Sequence, residues 1–123
     1  MNTLNVNVNI NINVNQQRIK DLLRTALEQG VGHWASWAIH PTYTAPHNHH
    51  KRYHINDPQW ALTIKDYIQN KSYTLNQKTL SHGIQLFAKL YPIHFQFFVN
   101  KNEDAEIADL FLQTTLLGKA TYC

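Results

Sequence analysis

The sequence predicts an α+β domain: a small antiparallel sheet, built from an N-terminal strand and a central hairpin, covered by three to four helices. Three observations lead there. Residues 4–14 alternate aliphatic residues with asparagine without a break, the period of a strand with one apolar face. Residues 60–75 hold two β-compatible runs separated by Asn70-Lys71, the composition of a hairpin. Three further stretches repeat apolar residues at helical spacing, each with a capping residue ahead of it. With 123 residues, no repeats and no break in composition, residues 1–123 are expected to form a single domain around one core.

The elements follow in order. The aliphatics of the first strand, Leu4 to Val14, are mostly β-branched and suit a pleated surface. Asn15 then caps a helix whose Ile19, Leu22, Leu23, Ala26 and Leu27 form one stripe. Gly30 and Gly32 are expected to end it by accepting a left-handed backbone. His33 to His40 is aromatic-rich and strand-compatible until Pro41 stops it. Residues 41–58, with Pro41, Pro46 and Pro58, predict an irregular loop of unusual length. Trp60 to Gln69 begins the hairpin, and Ser72 to Leu75 pairs back on it. Asn76 caps the next helix, which turns Leu80, Ile84, Phe87, Ala88 and Tyr91 inward and closes at Pro92. Residues 93–99 are apolar enough for a short buried helix or a strand. Asn102 or Asp104 caps the last helix, whose first-turn acids favour the positive end of its dipole. Gly118 is its stop, after which Ala120-Thr121-Tyr122 is placed to pack back.

Charge is sparse and unevenly placed. Charged residues make up 15% of the chain and the net charge is +3. Residues 1–101 hold ten Lys/Arg against four Asp/Glu, whereas residues 102–123 hold Lys119 against Glu103, Asp104, Glu106 and Asp109. A mildly basic body permits nucleic-acid contact without demanding it. Cys123 is the only cysteine, so no internal disulfide and no cysteine-based zinc site can form. With no leader pattern at the start and no long apolar run, a reducing, cytoplasmic setting is expected.

The chemistry-bearing residues concentrate in the long loop, at His47, His49, His50, Lys51, Arg52, Tyr53 and His54. Four imidazoles so close together, with Asp57 nearby, have the donor type for a metal. The spacing argues against one, because structural zinc sites use two separated pairs, and Lys51 and Arg52 repel a cation. Neither metal nor cofactor is expected. As a contact surface the loop is better equipped: Arg, Tyr and Trp dominate binding hot spots, and Trp34 and Trp37 can flank it. The same mixture can also hold phosphates and stack on bases, although no RNA-recognition or helix-turn-helix pattern is present. An enzyme is not expected. The chain lacks a phosphate-cradling glycine loop, HExxH and GxSxG, and Cys123 is a poor nucleophile at the terminus. Asp66, His82 and His94 would need to meet in space to form a catalytic group.

Three segments carry a resemblance. They are Ala26-Leu27-Glu28-Gln29-Gly30-Val31-Gly32-His33-Trp34, then Tyr91-Pro92-Ile93-His94-Phe95, and then Asp104-Ala105 through Asp109, Phe111-Leu112-Gln113, Leu117-Gly118 and Tyr122. Together they resemble a family of small bacteriophage and prophage proteins, over most of residues 15–123. Gln29, His33 and Cys123 depart from the pattern, where an acid or glycine, an aromatic and a glycine respectively are usual. The family's size class includes inhibitors of bacterial immunity, anti-CRISPR proteins among them. The resemblance implies the fold and a phage origin. Taken with the absence of catalytic motifs and the one unusual loop, it leads to the expectation of a phage-derived inhibitor acting in the host cytoplasm by stoichiometric occlusion of a defence complex, with a CRISPR–Cas effector as the foremost candidate.

The expected contacts are His47, His49, His50, Lys51, Arg52 and Tyr53, with Trp34 and Trp37 supporting them. The alternative is a nucleic-acid-binding accessory protein using the same loop. Residues 4–14 would either lie inside the sheet or pair with their copy in a homodimer.

Overall fold

The computed structural model describes residues 14–43, 52–102 and 104–123. Residues 4–13 of the strand expected at 4–14, the homodimer built on it, and His47 through Lys51 lie outside the described residues, and Val14, which is described, is not in a strand. The elements are α1 (Gln16–Thr25), prolonged by a wider π turn (Ala26–Gly30), β1 (Ala35–Ile39), β2 (Ala61–Asp66), β3 (Lys71–Asn76), α2 (Gln77–Leu90), α3 (Pro92–Val99) and α4 (Ala105–Leu117). The strands form an antiparallel sheet in the order β1-β2-β3. This is the α+β class read from the sequence, with four helices. None of the described helices is long and apolar enough to cross a membrane.

Strand period two divides the sheet into a dry face and a wet one. In register across the strands, Trp37, Ile64 and Tyr73 share the helix-side face, as do Leu62 and Leu75. Ser36, Lys65 and Ser72 share the opposite, exposed face. Helices cover the dry face. Leu22, Leu23, Trp34, Leu62, Ile64, Leu75, Phe87, Phe98, Phe111 and Leu112 form the centre of the core, each essentially inaccessible. Phe87 is the aromatic hub, edge-on to Phe95 at 6.2 Å and to Phe111 at 5.8 Å.

Local chemistry explains most boundaries. The Asn15, Asn76 and Asp104 side chains accept hydrogen bonds from the first-turn amides of Gln17, Thr79 and Ile107. Asp104, rather than Asn102, is the cap of α4. Residues 92–99 are helix, not strand, because Pro92 at the first helical position sacrifices no hydrogen bond. The hairpin turn is wider than Asn70-Lys71. The Asp66 carboxylate accepts both the Ile68 and Gln69 amides, so β2 ends at Asp66 and Asn70 takes the positive φ of 58°.

The glycines at the end of the first helix have another role than expected. Only Gly118 is left-handed, at φ 87°. Gly30 instead lets two helices touch, since a Cβ there would stand 2.7 Å from the Ala105 carbonyl oxygen. Gly83 does the same between α2 and α4, where a Cβ would fall 2.1 Å from Thr115 Oγ1. Gly83→Ala should therefore destabilise the domain by about 1–3 kcal/mol, overpacking outweighing the better helix propensity of alanine. Gly32→Ala, with nothing within 4 Å, should be close to neutral. Paired thermal denaturation of the two variants checks both values.

Candidate binding face

Two polar constellations stand out against this scaffold. The first is a clamp that closes the chain end onto the sheet. Gln113 of α4 holds the tail three times, its Oε1 accepting the Thr121 and Tyr122 amides and its Nε2 donating to the Tyr122 carbonyl. The Tyr91 hydroxyl accepts the Ala120 amide at 2.9 Å. The Tyr122 ring stacks on Trp34 at 5.6 Å, and its hydroxyl donates to Asp66 Oδ2 at 2.6 Å. Asp109 of α4 receives the Trp34 indole N–H at 2.8 Å and the Gln113 amide at 3.1 Å, and lies 2.6 Å from His33 Nε2. The Tyr67 hydroxyl donates to the Gly32 carbonyl beside them.

Asp66 is the buried charge of this clamp. Burial pushes its carboxyl up, but the bonds from Tyr122 and from the Gln69 and Ile68 amides, with Lys71 nearby, outweigh that and hold it below the ordinary carboxylate value. Tyr122 is displaced the other way, its hydroxyl pushed up by burial and by the bond to Asp66. These groups are engaged with one another, which makes the clamp a structural device.

The second constellation contains what the structure describes of the predicted site. Trp37 projects from β1 and donates its indole N–H to the Leu27 carbonyl of the π turn at 3.2 Å. Arg52 and Tyr53 form a short helical turn, fixed by the Trp60 indole N–H donating to the Arg52 carbonyl at 3.0 Å. The Arg52 guanidinium lies 5.3 Å over the Trp37 ring, and Trp37 and Tyr53 are 6.5 Å apart. Arg24, from the last turn of α1, completes the stack 5.1 Å over Tyr53. Each guanidinium thus lies over one of two neighbouring, mutually tilted rings, each such contact contributing about 0.5–1 kcal/mol at an exposed site. Glu28 sits beside Arg24, with 3.9 Å between carboxylate and guanidinium, and both side chains are about half exposed.

Tyr53 is the buried centre of the stack, 6% exposed. Its hydroxyl has no hydrogen bond of standard geometry. The Glu28 carboxylate is close enough to act on it through charge, and burial together with Glu28 pushes its pKa up to about 12, against the opposing charges of Arg52 and Arg24.

Of the expected contact residues, then, Trp37, Arg52 and Tyr53 come together. Trp34 does not join them, since it is fully buried in the clamp. Arg24 and Glu28 were not anticipated. Arg24 reads as one more cation off the apolar stripe of α1, and only the tertiary fold brings it to Tyr53. Asp66, His82 and His94 form no catalytic group, because Asp66 is engaged with Tyr122 and the turn amides while both histidines are exposed on helices. Asp57 accepts from the Tyr43 hydroxyl and the Gln59 amide. Among the described residues no three His, Cys, Asp or Glu side chains gather at metal-binding distance.

Two titrations follow. Tyr122→Phe should lower Tm by about 4 °C or more through loss of the Asp66 bond. The folded pKa of Asp66 lies below its unfolded value, so its contribution is present above about pH 4 and fades as pH falls through the folded pKa. The difference in Tm between the two proteins should therefore narrow in acid. Tyr53 has the opposite sign. Its stabilising contribution is complete below about pH 10 and declines toward the folded pKa of about 12, so ultraviolet titration should show one tyrosine ionising last and Tyr53→Phe should remove that step. No protein-family model, characterised protein or solved structure matches the chain.

Proposed function

We propose that the chain works without catalysis, as a stoichiometric binding protein whose contact face includes Arg24, Trp37 and Arg52 arranged around Tyr53. The observation that supports this reading is the guanidinium–aromatic stack itself. Its members come from α1, β1 and the turn at Arg52, and it includes residues of the type that dominate interface energetics. Because Trp37 and Tyr53 are already packed and bonded in place, little side-chain freedom is lost when a partner settles on the face. Arg52 and Arg24 remain exposed enough to meet an acidic or planar group. The resemblance of residues 15–123 to small phage proteins makes a bacterial defence complex the partner class, inhibited by occlusion in the host cytoplasm, and a CRISPR–Cas effector the first to test.

A second reading rests on the same stack, since guanidinium and indole planes also accept a nucleobase beside its phosphate. Glu28 argues against it by placing a carboxylate where a phosphate would approach Arg24. The two readings separate by salt. A nucleic-acid contact using both arginines loses affinity with a log–log slope of about −2, whereas a packed protein interface depends much less on salt.

The experiment is affinity capture with the tagged full chain from nuclease-treated bacterial lysate, repeated with an Arg24→Ala, Trp37→Ala, Arg52→Ala triple variant. The expected outcome is stoichiometric retention of a defence subunit by the natural chain and at least about a hundredfold weaker binding by the variant. Capture that is unchanged in a folded triple variant would remove this face from the reading.

A further inference from the structure

The first helix is entered through a hydrophobic staple. Asn15 caps α1 with an extended backbone, at φ −61° and ψ 135°, and its side chain accepts the Gln17 amide. Val14 stands one place ahead of the cap and Ile19 is the fourth helical residue, the two positions whose packing fixes the angle at which a chain enters a helix. Both line an open groove of about 340 Å³ between α1 and α2, and both are partly buried against the core. Ile55, Leu80 and Ile84 supply the rest of its apolar lining. No residue of the groove belongs to a strand, so whatever fills it packs on the helices.

The sequence ahead of Val14 has the form that fits. Leu4, Val6, Val8, Ile10, Ile12 and Val14 occupy every second position, so in an extended chain they share one side and the asparagines between them take the other. Extended chain advances about 3.3 Å per residue, which puts Ile12 and Ile10 about 7 and 13 Å beyond Val14, on the side that Val14 turns to the groove. The groove is also as free of charge as the segment. Its polar lining is Gln16, Gln77, Ser81 and Gln85, and residues 1–14 contain no Asp, Glu, Lys or Arg. A charged partner finds no counter-charge there. A segment joined to the groove through Val14 is present at high effective concentration, whereas a second copy has to associate from solution.

We infer that the aliphatic side of the N-terminal segment closes the α1–α2 groove of its own molecule, with Ile12 and Ile10 seated in line with Val14. This contact is separate from the Arg24–Trp37–Arg52 face and does not depend on the function proposed for that face.

Methyl–methyl nuclear Overhauser spectra of the full chain, labelled at isoleucine, leucine and valine, test it. The expected result is cross-peaks from Ile12 to Ile84 and Leu80 whose relative intensity is unchanged on about tenfold dilution, as a contact within one molecule requires. An Ile10→Asp, Ile12→Asp double variant should lower Tm by about 4 °C or more, through loss of the buried aliphatics. Asn9→Asp with Asn11→Asp, the same two charges on the other side of the segment, should change Tm by less than about 2 °C. Absence of the Ile12 cross-peaks overturns the inference, as do equal changes of Tm in the two double variants. Cross-peaks that arise only between differently labelled copies in a mixed sample overturn it as well, because the groove would then hold the segment of a second copy.

Discussion

A carboxylate on the dry side of a three-stranded sheet sets the terms for the rest of this structure. Asp66 ends β2 with no solvent exposure, and an ionised group there is tolerable only if its oxygens are fully engaged. The hairpin turn supplies two amides to Oδ1, and Tyr122 supplies a hydroxyl to Oδ2. Tyr122 is far away in sequence, so the chain must be brought back to deliver it. Gly118 reverses the backbone after α4, Gln113 grips the returning segment, and Trp34 gives the Tyr122 ring a surface to stack on. Asp109 then orients Trp34 through its indole N–H. One buried charge thus couples the sheet, the turn after the first helix, α4 and the last residues of the chain.

That coupling gives a physical meaning to three segments that are far apart in the sequence. Ala26 to Trp34 and Asp104 to Tyr122 meet in the clamp, through His33 and Trp34 on one side and Asp109, Gln113 and Tyr122 on the other. Gly30 permits the approach of α4 that makes those bonds. Tyr91, from the middle segment, receives the Ala120 amide. The pattern therefore encodes how the chain closes, and fold alone does not assign activity. The guanidinium–aromatic stack draws only on the edge of the first segment, through Leu27 and Glu28, and otherwise on Arg24, Trp37, Arg52 and Tyr53.

What was legible in the sequence follows from the range of the forces involved. Helix caps are local, and Asn15 and Asn76 act where their position ahead of an apolar stripe placed them. The hairpin and the glycine stop at Gly118 are local as well, and both are present. Errors arose where a distant group decides. The helical segment does end at Gly30, but without the left-handed backbone expected of it, because its role, contact with the Ala105 carbonyl, depends on a helix far along the chain. Trp34 looked like a contact residue because nothing nearby in sequence shows that Asp109 and Tyr122 will enclose it. Arg24 was overlooked for the same reason, since its ring partner Tyr53 reaches it only in the folded chain. Asp66 was weighed as a catalytic carboxylate. Its depressed pKa and full burial fit an active site equally well until its partners are seen to be a tyrosine hydroxyl and two turn amides.

The division between clamp and faces also decides how surface change propagates. Arg52 lies over Trp37, whose indole is held by the Leu27 carbonyl, and the Trp60 indole bonds the Arg52 backbone carbonyl, so removing either guanidinium leaves both of these bonds in place. Ile93 and Phe97 face away from Phe95 and Phe98, which hold α3 in the core without them. Substitutions on α3 and in the stack should add nearly independently of one another, whereas Arg24 and Arg52 both act on Tyr53 and should couple. Tyr53 is the exception within the stack. Its ring is buried, so trimming it opens a cavity as well as altering the face. A variant there confounds folding with any effect on the proposed face, whereas Arg24 and Arg52 test that face with the scaffold intact.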